Sequence, residues 1–302
     1  MACVTMSTTT QHTIQSQGDI NINIKVCDVY KGDAYIWCFG TYMMPRKHLQ
    51  NFQTTVILIL LTYAAFVVCI APFMQSALAI YVYTVLGTTD LTFLLLTSFT
   101  EPGIVPRLST RGIREKLLAD IKRNSMTGNF CMTCLVVKHK DIKHCRHCNT
   151  CVDHFDHHCI FVGNCIGVRN YQYFIVFISA ITLTASFSFL CVLSLAYGWI
   201  RGSETDLYIF RALSIVLFGA WTLLVGILVG ALLCFHIFLI ARNQTTVNYL
   251  RGTADTKDLW GICYSAPSTQ LKPLWKDASM TYQEYENEVA KIGAFLANLS
   301  KN

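Results

Sequence analysis

Asp156, His157, His158 and Cys159 are consecutive in the sequence. A thiol reacts as its thiolate, and an imidazole backed by a carboxylate can generate one. In such a group the carboxylate fixes the imidazole tautomer and stabilises its charged form. The quartet closes a longer pattern, Cys131-x2-Cys134-x9-His144-Cys145-x2-Cys148-x2-Cys151-x4-Asp156, and Cys165 follows Cys159 after five residues. Structural zinc takes four Cys or His ligands in a tetrahedron, often from CxxC knuckles. Two ions need eight ligands. Six cysteines and two histidines supply them and leave one cysteine over, and Cys159, directly behind Asp156, His157 and His158, is the candidate nucleophile.

The segment around these residues is mostly polar, with few large apolar side chains before Phe155. It cannot build a conventional core, so bound metal must organise it. Of the 14 cysteines, seven fall between Cys131 and Cys165 among six histidines. Mixed Cys/His spacing points to metal ligation in a reducing compartment rather than to disulfides.

The rest of the chain supplies the frame. Apolar residues make up 53% of it and charged residues only 14%, against about 25% in soluble domains. A bilayer core of about 30 Å needs roughly 20 apolar residues in a helix. Four stretches qualify: Thr54 to Phe73, Leu78 to Phe99, Phe174 to Leu195, and Leu213 to Ile240. The first two form a hairpin around Pro72, Gln75 and Ser76, and the last two are joined by Tyr197 to Arg211. The hydrophilic segment between the pairs carries eleven lysines and arginines from Arg107 to Arg169, whereas the opposite loops hold only Arg201 and Arg211. The positive-inside rule therefore places both termini and the Cys/His segment in the cytosol. The net charge of +6 is accounted for by the membrane, not by nucleic acid. The first 50 residues lack the apolar core of a secretory signal.

Some residues inside the spans are notable. Asp90 is either a functional charge or a polar helix contact, since charges there are costly. His236, near the cytosolic end of the fourth span, is expected at the interface. Gly226 and Gly230 form a small-xxx-small pair suited to close packing within the bundle. Cys69, Cys191 and Cys234 lie in apolar runs and are expected to be small packing residues.

The Cys/His string resembles the DHHC cysteine-rich domain of protein S-acyltransferases over residues 131–174. Further motifs extend the likeness. Glu101-Pro102-Gly103 resembles the family's Asp-Pro-Gly motif, and Asn243-Gln-Thr-Thr246 its Thr-Thr-x-Glu motif. Gly167-Val-Arg-Asn-Tyr171 also fits, and Tyr30 through Arg46 faintly resembles the yeast and plant branch related to Ras palmitoyltransferases. The resemblance implies an all-α integral membrane protein with four transmembrane helices and a cytosolic zinc-stabilised cysteine-rich domain between the second and third. The corresponding segments are 1–52, 53–100, 101–173, 174–241 and 242–302: cytosolic N-terminal segment, first helix pair, DHHC domain, second helix pair and cytosolic tail.

The resemblance also implies roles. Asp156 and His157 would activate Cys159 as nucleophile. One structural zinc would take Cys131, Cys134, His144 and Cys151, and a second Cys145, Cys148, His158 and Cys165. His139, His147 and His154 have no family role and are expected to be solvent-facing or hydrogen-bond partners. The implied reaction transfers a fatty acyl group from palmitoyl-CoA, as co-substrate, through an acyl-Cys159 intermediate to cytosolic cysteines of membrane-associated proteins. The implied setting is the bilayer of the Golgi or endoplasmic reticulum, with the plasma membrane possible and a small accessory subunit a possible partner. Lys138, Lys140, Lys143, Arg146 and Arg169 are candidates for the CoA phosphates, each weighed against generic attraction to the inner leaflet. Thr184 is placed at the far end of an acyl cavity.

Several positions depart from the family pattern. Ile160-Phe161 replace Pro-Trp after the nucleophile, Asn248 stands at the acidic position of Thr-Thr-x-Glu, and Glu101 replaces aspartate. Before Leu259-Trp260-Gly261 the usual asparagine is absent, with Thr256 and Lys257 nearby. The competing reading is a zinc-bearing membrane scaffold with weak or no catalysis. A cross-braced ubiquitin-ligase finger explains neither the spare thiol nor the place between two helix pairs.

Overall fold

A computed structural model describes residues 34–37, 42–45, 49–74, 76–105, 130–131, 133–134, 136–138, 141–201 and 208–252. The basic residues from Arg107 to Arg123, His139, Lys140, Thr256, Lys257, the Leu259-Trp260-Gly261 signature and most of Tyr30 through Arg46 lie outside the described residues. A short antiparallel pair, β1 (Ala34–Trp37) and β2 (Tyr42–Pro45), precedes helix α1 (Leu49–Cys69). The short α2 (Ala71–Met74) and α3 (Ala77–Phe99) follow. Four small antiparallel pairings fill the cysteine-rich region or precede it: besides β1–β2, these are β3 (Phe130–Cys131) with β4 (Val136–Val137), β5 (Lys143–Cys145) with β6 (Thr150–Val152), and β7 (His157–Cys159) with β8 (Asn164–Ile166). Helices α4 (Tyr171–Ile200), α5 (Tyr208–Ala241) and α6 (Thr246–Leu250) complete the described chain.

Helices α1, α3, α4 and α5 are each long and apolar enough to cross a bilayer, and the chain is a multi-pass membrane protein. The first span ends four residues before its apolar run does, at Cys69 instead of Phe73. Pro72 has no N–H to donate to the carbonyl of Val68, so α1 stops at Cys69 and the chain turns through α2 before Ser76 caps α3. Side chains of α4 meet both α3 and α5. It is the most enclosed span, with 44% of its apolar stretch buried against 11–22% in the others.

Small residues set the fit of α5 on α4. A Cβ built on Gly226 would lie 3.6 Å from Ala185 Cβ, and one on Gly230 3.6 Å from Thr182 Cγ2, both ordinary contacts. Gly219 is tighter, its Cβ falling 2.9 Å from Val192 Cγ1. The small-residue stripe thus packs inside the bundle. Asp90 serves the α3–α4 contact: it is 2% exposed, and its Oδ2 accepts a 2.8 Å hydrogen bond from Thr184 Oγ1.

The cysteine-rich region is fastened to the end of α3 by side-chain amides. The last carbonyls of a helix lack intrahelical partners. Asn164 Nδ2 donates to the carbonyls of Ser98 and Thr100 (3.0 and 3.1 Å), and Asn170 Nδ2 to those of Thr97 and Cys165 (3.0 and 2.8 Å). Glu101, buried just past the helix, accepts from the backbone N–H groups of Gly103 and Ile104 and pairs with Arg169. Two glycines permit this approach. Gly103 has a φ of 105°, and a Cβ on Gly167 would sit 2.4 Å from the carbonyl oxygen of Pro102.

That last contact gives a paired expectation. Gly167→Ala drives a methyl into backbone and should destabilise the fold by about 1–3 kcal/mol, whereas Gly226→Ala should change stability by less than about 0.5 kcal/mol. Thermal unfolding of the two purified variants in one detergent measures the difference, and equal Tm values would refute the packing described for Gly167.

Candidate active site

The two hairpins β5–β6 and β7–β8 place a histidine directly across from a cysteine. His144 faces Cys151, and His158 faces Cys165. The CxxC turns then add two thiols to each pair. In the first cluster the Nδ1 of His144 lies 3.5, 3.3 and 3.8 Å from the sulfurs of Cys131, Cys134 and Cys151. In the second, Nδ1 of His158 lies 3.8, 3.4 and 3.7 Å from those of Cys145, Cys148 and Cys165. In a zinc tetrahedron with ordinary Zn–S and Zn–N lengths the S···N edge is about 3.6 Å. Six S···N separations between 3.3 and 3.8 Å match that edge, so the donor sets fit a tetrahedral ion.

The backbone supports the same chemistry. The N–H groups of Cys134 and Cys148 point at the sulfurs of Cys131 and Cys145 (3.4 and 3.5 Å). All six thiols are buried and none forms a disulfide. Each cluster can hold a metal ion. Two of the histidines without a family role also find places. The His147 ring stacks on His158 at 4.8 Å, and His154 Nδ1 lies 2.9 Å from Asp153 Oδ1.

Cys159 belongs to neither cluster. Side chains alternate along a strand, so His157 and Cys159 leave β7 on one face while His158 leaves on the other. The Cys159 side chain is 9% exposed, among Phe52 of α1, Leu94 of α3, Phe174 of α4, Ile240 of α5 and Ile166 of β8. All four spans contribute to the buried cluster that holds this thiol. The turn after it is closed without proline: Gly163, at φ 73°, donates its N–H to the Cys159 carbonyl at 2.9 Å. Ile160 and Phe161 remain exposed at 50% and 62%, and Thr55 Oγ1 of α1 donates to the Phe161 carbonyl at 2.8 Å.

Asp156 and His157 form a tight pair, with Nδ1 2.6 Å from Oδ2. Asp156 also accepts from Thr246, at Oδ1 from the backbone N–H (2.7 Å) and at Oδ2 from the hydroxyl (2.8 Å). The end of α5 determines that reach. Asn243 takes the left-handed conformation (φ 58°), its N–H bonds to the Ile240 carbonyl, and that of Gln244 to Leu239, both at 3.0 Å. These are the two bonds of a Schellman stop, and asparagine tolerates the conformation that glycine usually supplies. The chain then turns back, Thr245 caps α6 by accepting from the Asn248 N–H at 3.2 Å, and Thr246 arrives at Asp156.

Electrostatics follow from these contacts. Burial alone would raise the Asp156 pKa, but hydrogen bonds and the His157 charge outweigh it and hold the carboxyl below its ordinary value. Burial works against a charged His157, yet hydrogen bonds to Asp156 and Cys159, and their charges, push it up to about 10. A charged His157 is the form left after it takes a proton from the thiol. The arrangement can thus generate a thiolate in an apolar surrounding and hold the proton beside it.

Thr184 donates its hydroxyl to Asp90. Two expectations are corrected. Arg169 is not a free phosphate contact, because its guanidinium pairs with buried Glu101. His236 is not interfacial: it is 1% exposed and lies 3.2 Å from the hydroxyl of Tyr171. Its ring nitrogen, the Asp156 carboxylate and a His157 nitrogen all lie within 4.8 Å of one another. Hydropathy alone flagged His236 as polar within an apolar helix, but not which side of α5 faces inward.

Known proteins match this chain. The family profile described as DHHC palmitoyltransferase matches residues 124–253, a stretch enclosing both clusters, Cys159 and Thr246. A relative, "Probable protein S-acyltransferase 2" of Arabidopsis thaliana, is 36% identical over 201 residues, covering 57% of this chain and 47% of that protein. "Palmitoyltransferase ZDHHC18" of Homo sapiens is 30% identical over 258 residues, covering 76% and 64%. "Probable protein S-acyltransferase 3" of Arabidopsis thaliana is 31% identical over 271 residues, covering 78% and 64%. The matched regions span from about half to just under two thirds of the lengths of these relatives. With its membrane-spanning helices bracketing the matched cysteine-rich segment, the chain belongs to the DHHC palmitoyltransferase family.

Proposed function

We propose that the chain is a protein-cysteine S-acyltransferase that carries a fatty acyl group from acyl-CoA, with palmitoyl-CoA the reference donor, on Cys159 to cysteines of membrane-associated proteins. One observation carries the reading. Cys159 is the thiol of the cysteine-rich segment that stands outside both clusters, beside a His157 tied to Asp156, in a buried apolar cluster to which all four spans contribute. A metal-bearing scaffold has no use for a spare thiol in that position.

In the first step His157 takes the Cys159 proton, and the thiolate attacks the thioester carbonyl carbon. The C–S bond to CoA breaks, the acyl group stays on Cys159, and the CoA sulfur regains a proton from His157. In the second step His157 deprotonates a cysteine of the protein substrate. That thiolate attacks the acyl-Cys159 carbonyl, Cys159 departs as thiolate, and the proton on His157 returns to it. Covalent relay of this kind splits one difficult transfer into two. Asp156 stabilises the charged imidazole in both steps, and Thr246 in turn fixes Asp156.

Zinc at Cys131, Cys134, His144 and Cys151, and at Cys145, Cys148, His158 and Cys165, would supply structural cross-linking of the hairpins and no reacting group. The apolar surround of Cys159 suits the acyl chain, each buried methylene contributing about 0.8 kcal/mol. Exposed Ile160 and Phe161 beside the nucleophile suit the lipid boundary. The charge asymmetry supports a cytosolic face for the site, and an endoplasmic reticulum or Golgi membrane is the proposed setting.

Two measurements test this reading. Purified protein incubated with labelled palmitoyl-CoA should acquire hydroxylamine-sensitive label that Cys159→Ser abolishes and that His157→Ala slows by about 10²–10⁴-fold. A wild-type protein that binds metal yet stays unlabelled would leave only the scaffold. Metal analysis should find two zinc ions per chain, one for each cluster, and Cys131→Ala should lose metal and labelling together. Thr246→Ala keeps the backbone donor but removes the hydroxyl from Asp156. It should slow acylation by about 10- to 100-fold, as loss of one charge-assisted hydrogen bond of about 1.5–3 kcal/mol implies, and an unchanged single-turnover rate would remove Thr246 from the site.

A further inference from the structure

His236 takes no part in the scheme above, yet it is buried against the residues that carry it. A polar ring inside an apolar helix is costly unless it is hydrogen-bonded. Its partner is Tyr171, the first residue of α4, whose hydroxyl lies 3.2 Å from His236 Nδ1. Tyr171 is itself fixed, 2% exposed, with its N–H on the Gly167 carbonyl at 3.0 Å. The link therefore joins α5 to the start of α4 at the level of the active site.

His157 needs more than Asp156 to be aimed. The Nδ1···Oδ2 contact fixes one corner of the imidazole, and the ring can still turn about that corner, moving its other nitrogen relative to Cys159. Ring contacts limit that turn. Phe174 meets His157 edge-on at 5.2 Å, and the His236 ring lies 5.8 Å from it at 40°. Phe174 and His236 meet edge-on as well, at 5.0 Å, and Tyr171 closes on His236 at 5.9 Å. The three rings make one wall beside the imidazole, with a polar tie at its centre.

We propose that His236, held by Tyr171, is a positioning residue that sets the plane of the His157 ring for proton exchange with Cys159. A residue that acts through His157 changes the rate of the chemical step and not donor binding. The inference rests on the acyl-transfer reading.

Single-turnover acylation of the full chain in detergent, across palmitoyl-CoA concentrations, provides the test. Wild type and Cys159→Ser are run in parallel: an unlabelled wild type overturns the acyl-transfer reading and this proposal with it, whereas a labelled wild type lets the variants decide. Tyr171→Phe removes only a hydroxyl, and His236→Phe keeps a ring but removes the nitrogen that bonds to it. Each should lower the saturating rate by about tenfold while the half-saturating palmitoyl-CoA concentration moves by less than about twofold. The double variant should be no slower than either single, because both break one link, and His236→Gln, which retains an acceptor, should recover part of the rate. Zinc content and Tm should stay near wild type in Tyr171→Phe. Wild-type rates in both single variants, multiplying losses in the double, or a rate loss matched by lost zinc or a lowered Tm in Tyr171→Phe would each overturn the proposal.

Discussion

Successive side chains of a β-strand leave on opposite faces, and β7 uses that alternation to separate two kinds of chemistry within three residues. His158 turns its Nδ1 to Cys145, Cys148 and Cys165, while its neighbours His157 and Cys159 share the other face. The strand is too short to hold its own register by backbone hydrogen bonds alone. Metal ligation by His158 beside Cys165 of β8 would pin both strands at one point. His144 and Cys145 of β5 divide in the same way between the two clusters. The clusters are therefore interleaved along the chain, and an ion in either one would bear on both hairpins.

The second constraint is the seam with the membrane helices. The cysteine-rich segment packs Cys159, Val162 and Ile166 into an apolar cluster with side chains of the spans, and its docking also satisfies carbonyls at the end of α3. Asn164 and Asn170 take four carbonyl contacts between them, and the Glu101–Arg169 pair closes the corner. A buried ion pair contributes little net stability against the same volume of apolar side chains. Its role here is geometric: it fixes the turn of Glu101-Pro102-Gly103 against the entry to α4. Gly103 and Gly167 let the two segments approach closely enough for those contacts to form.

Much of this was legible in the residues, and the boundary has physical reasons. Spacing exposed the metal-ligating thiols because tetrahedral ligation demands donors in CxxC-type turns, and hydropathy exposed the four spans because a bilayer demands length. Neither kind of signal reports which side of a helix faces inward. Asp90 and His236 are both polar residues in apolar runs, but Asp90 joins α3 to α4 through Thr184, whereas His236 reaches the active site. Arg169 looked like a phosphate ligand from its charge alone, and only the fold shows Glu101 in front of it. Strands of two or three residues left no periodic trace, and their register became visible only with coordinates.

Two departures from the family pattern fall where the structure has an alternative device. Without proline after Cys159, the turn is closed by Gly163 in a left-handed conformation, which needs no fixed φ at Ile160. With Asn248 in place of an acidic residue, no negative charge is offered at that position, yet the contacts that hold Asp156 come from Thr246, at its N–H and its hydroxyl. What those contacts require is that α5 stop at the right residue and the chain reverse within one turn. Asn243 provides the stop, and the Thr245 cap sets the direction of α6. The carboxylate of the dyad is thus held from a point 90 residues away in sequence, across the whole second helix pair. The Asp156–His157 pair is therefore braced by the second helix pair as well as by the cysteine-rich segment that carries it.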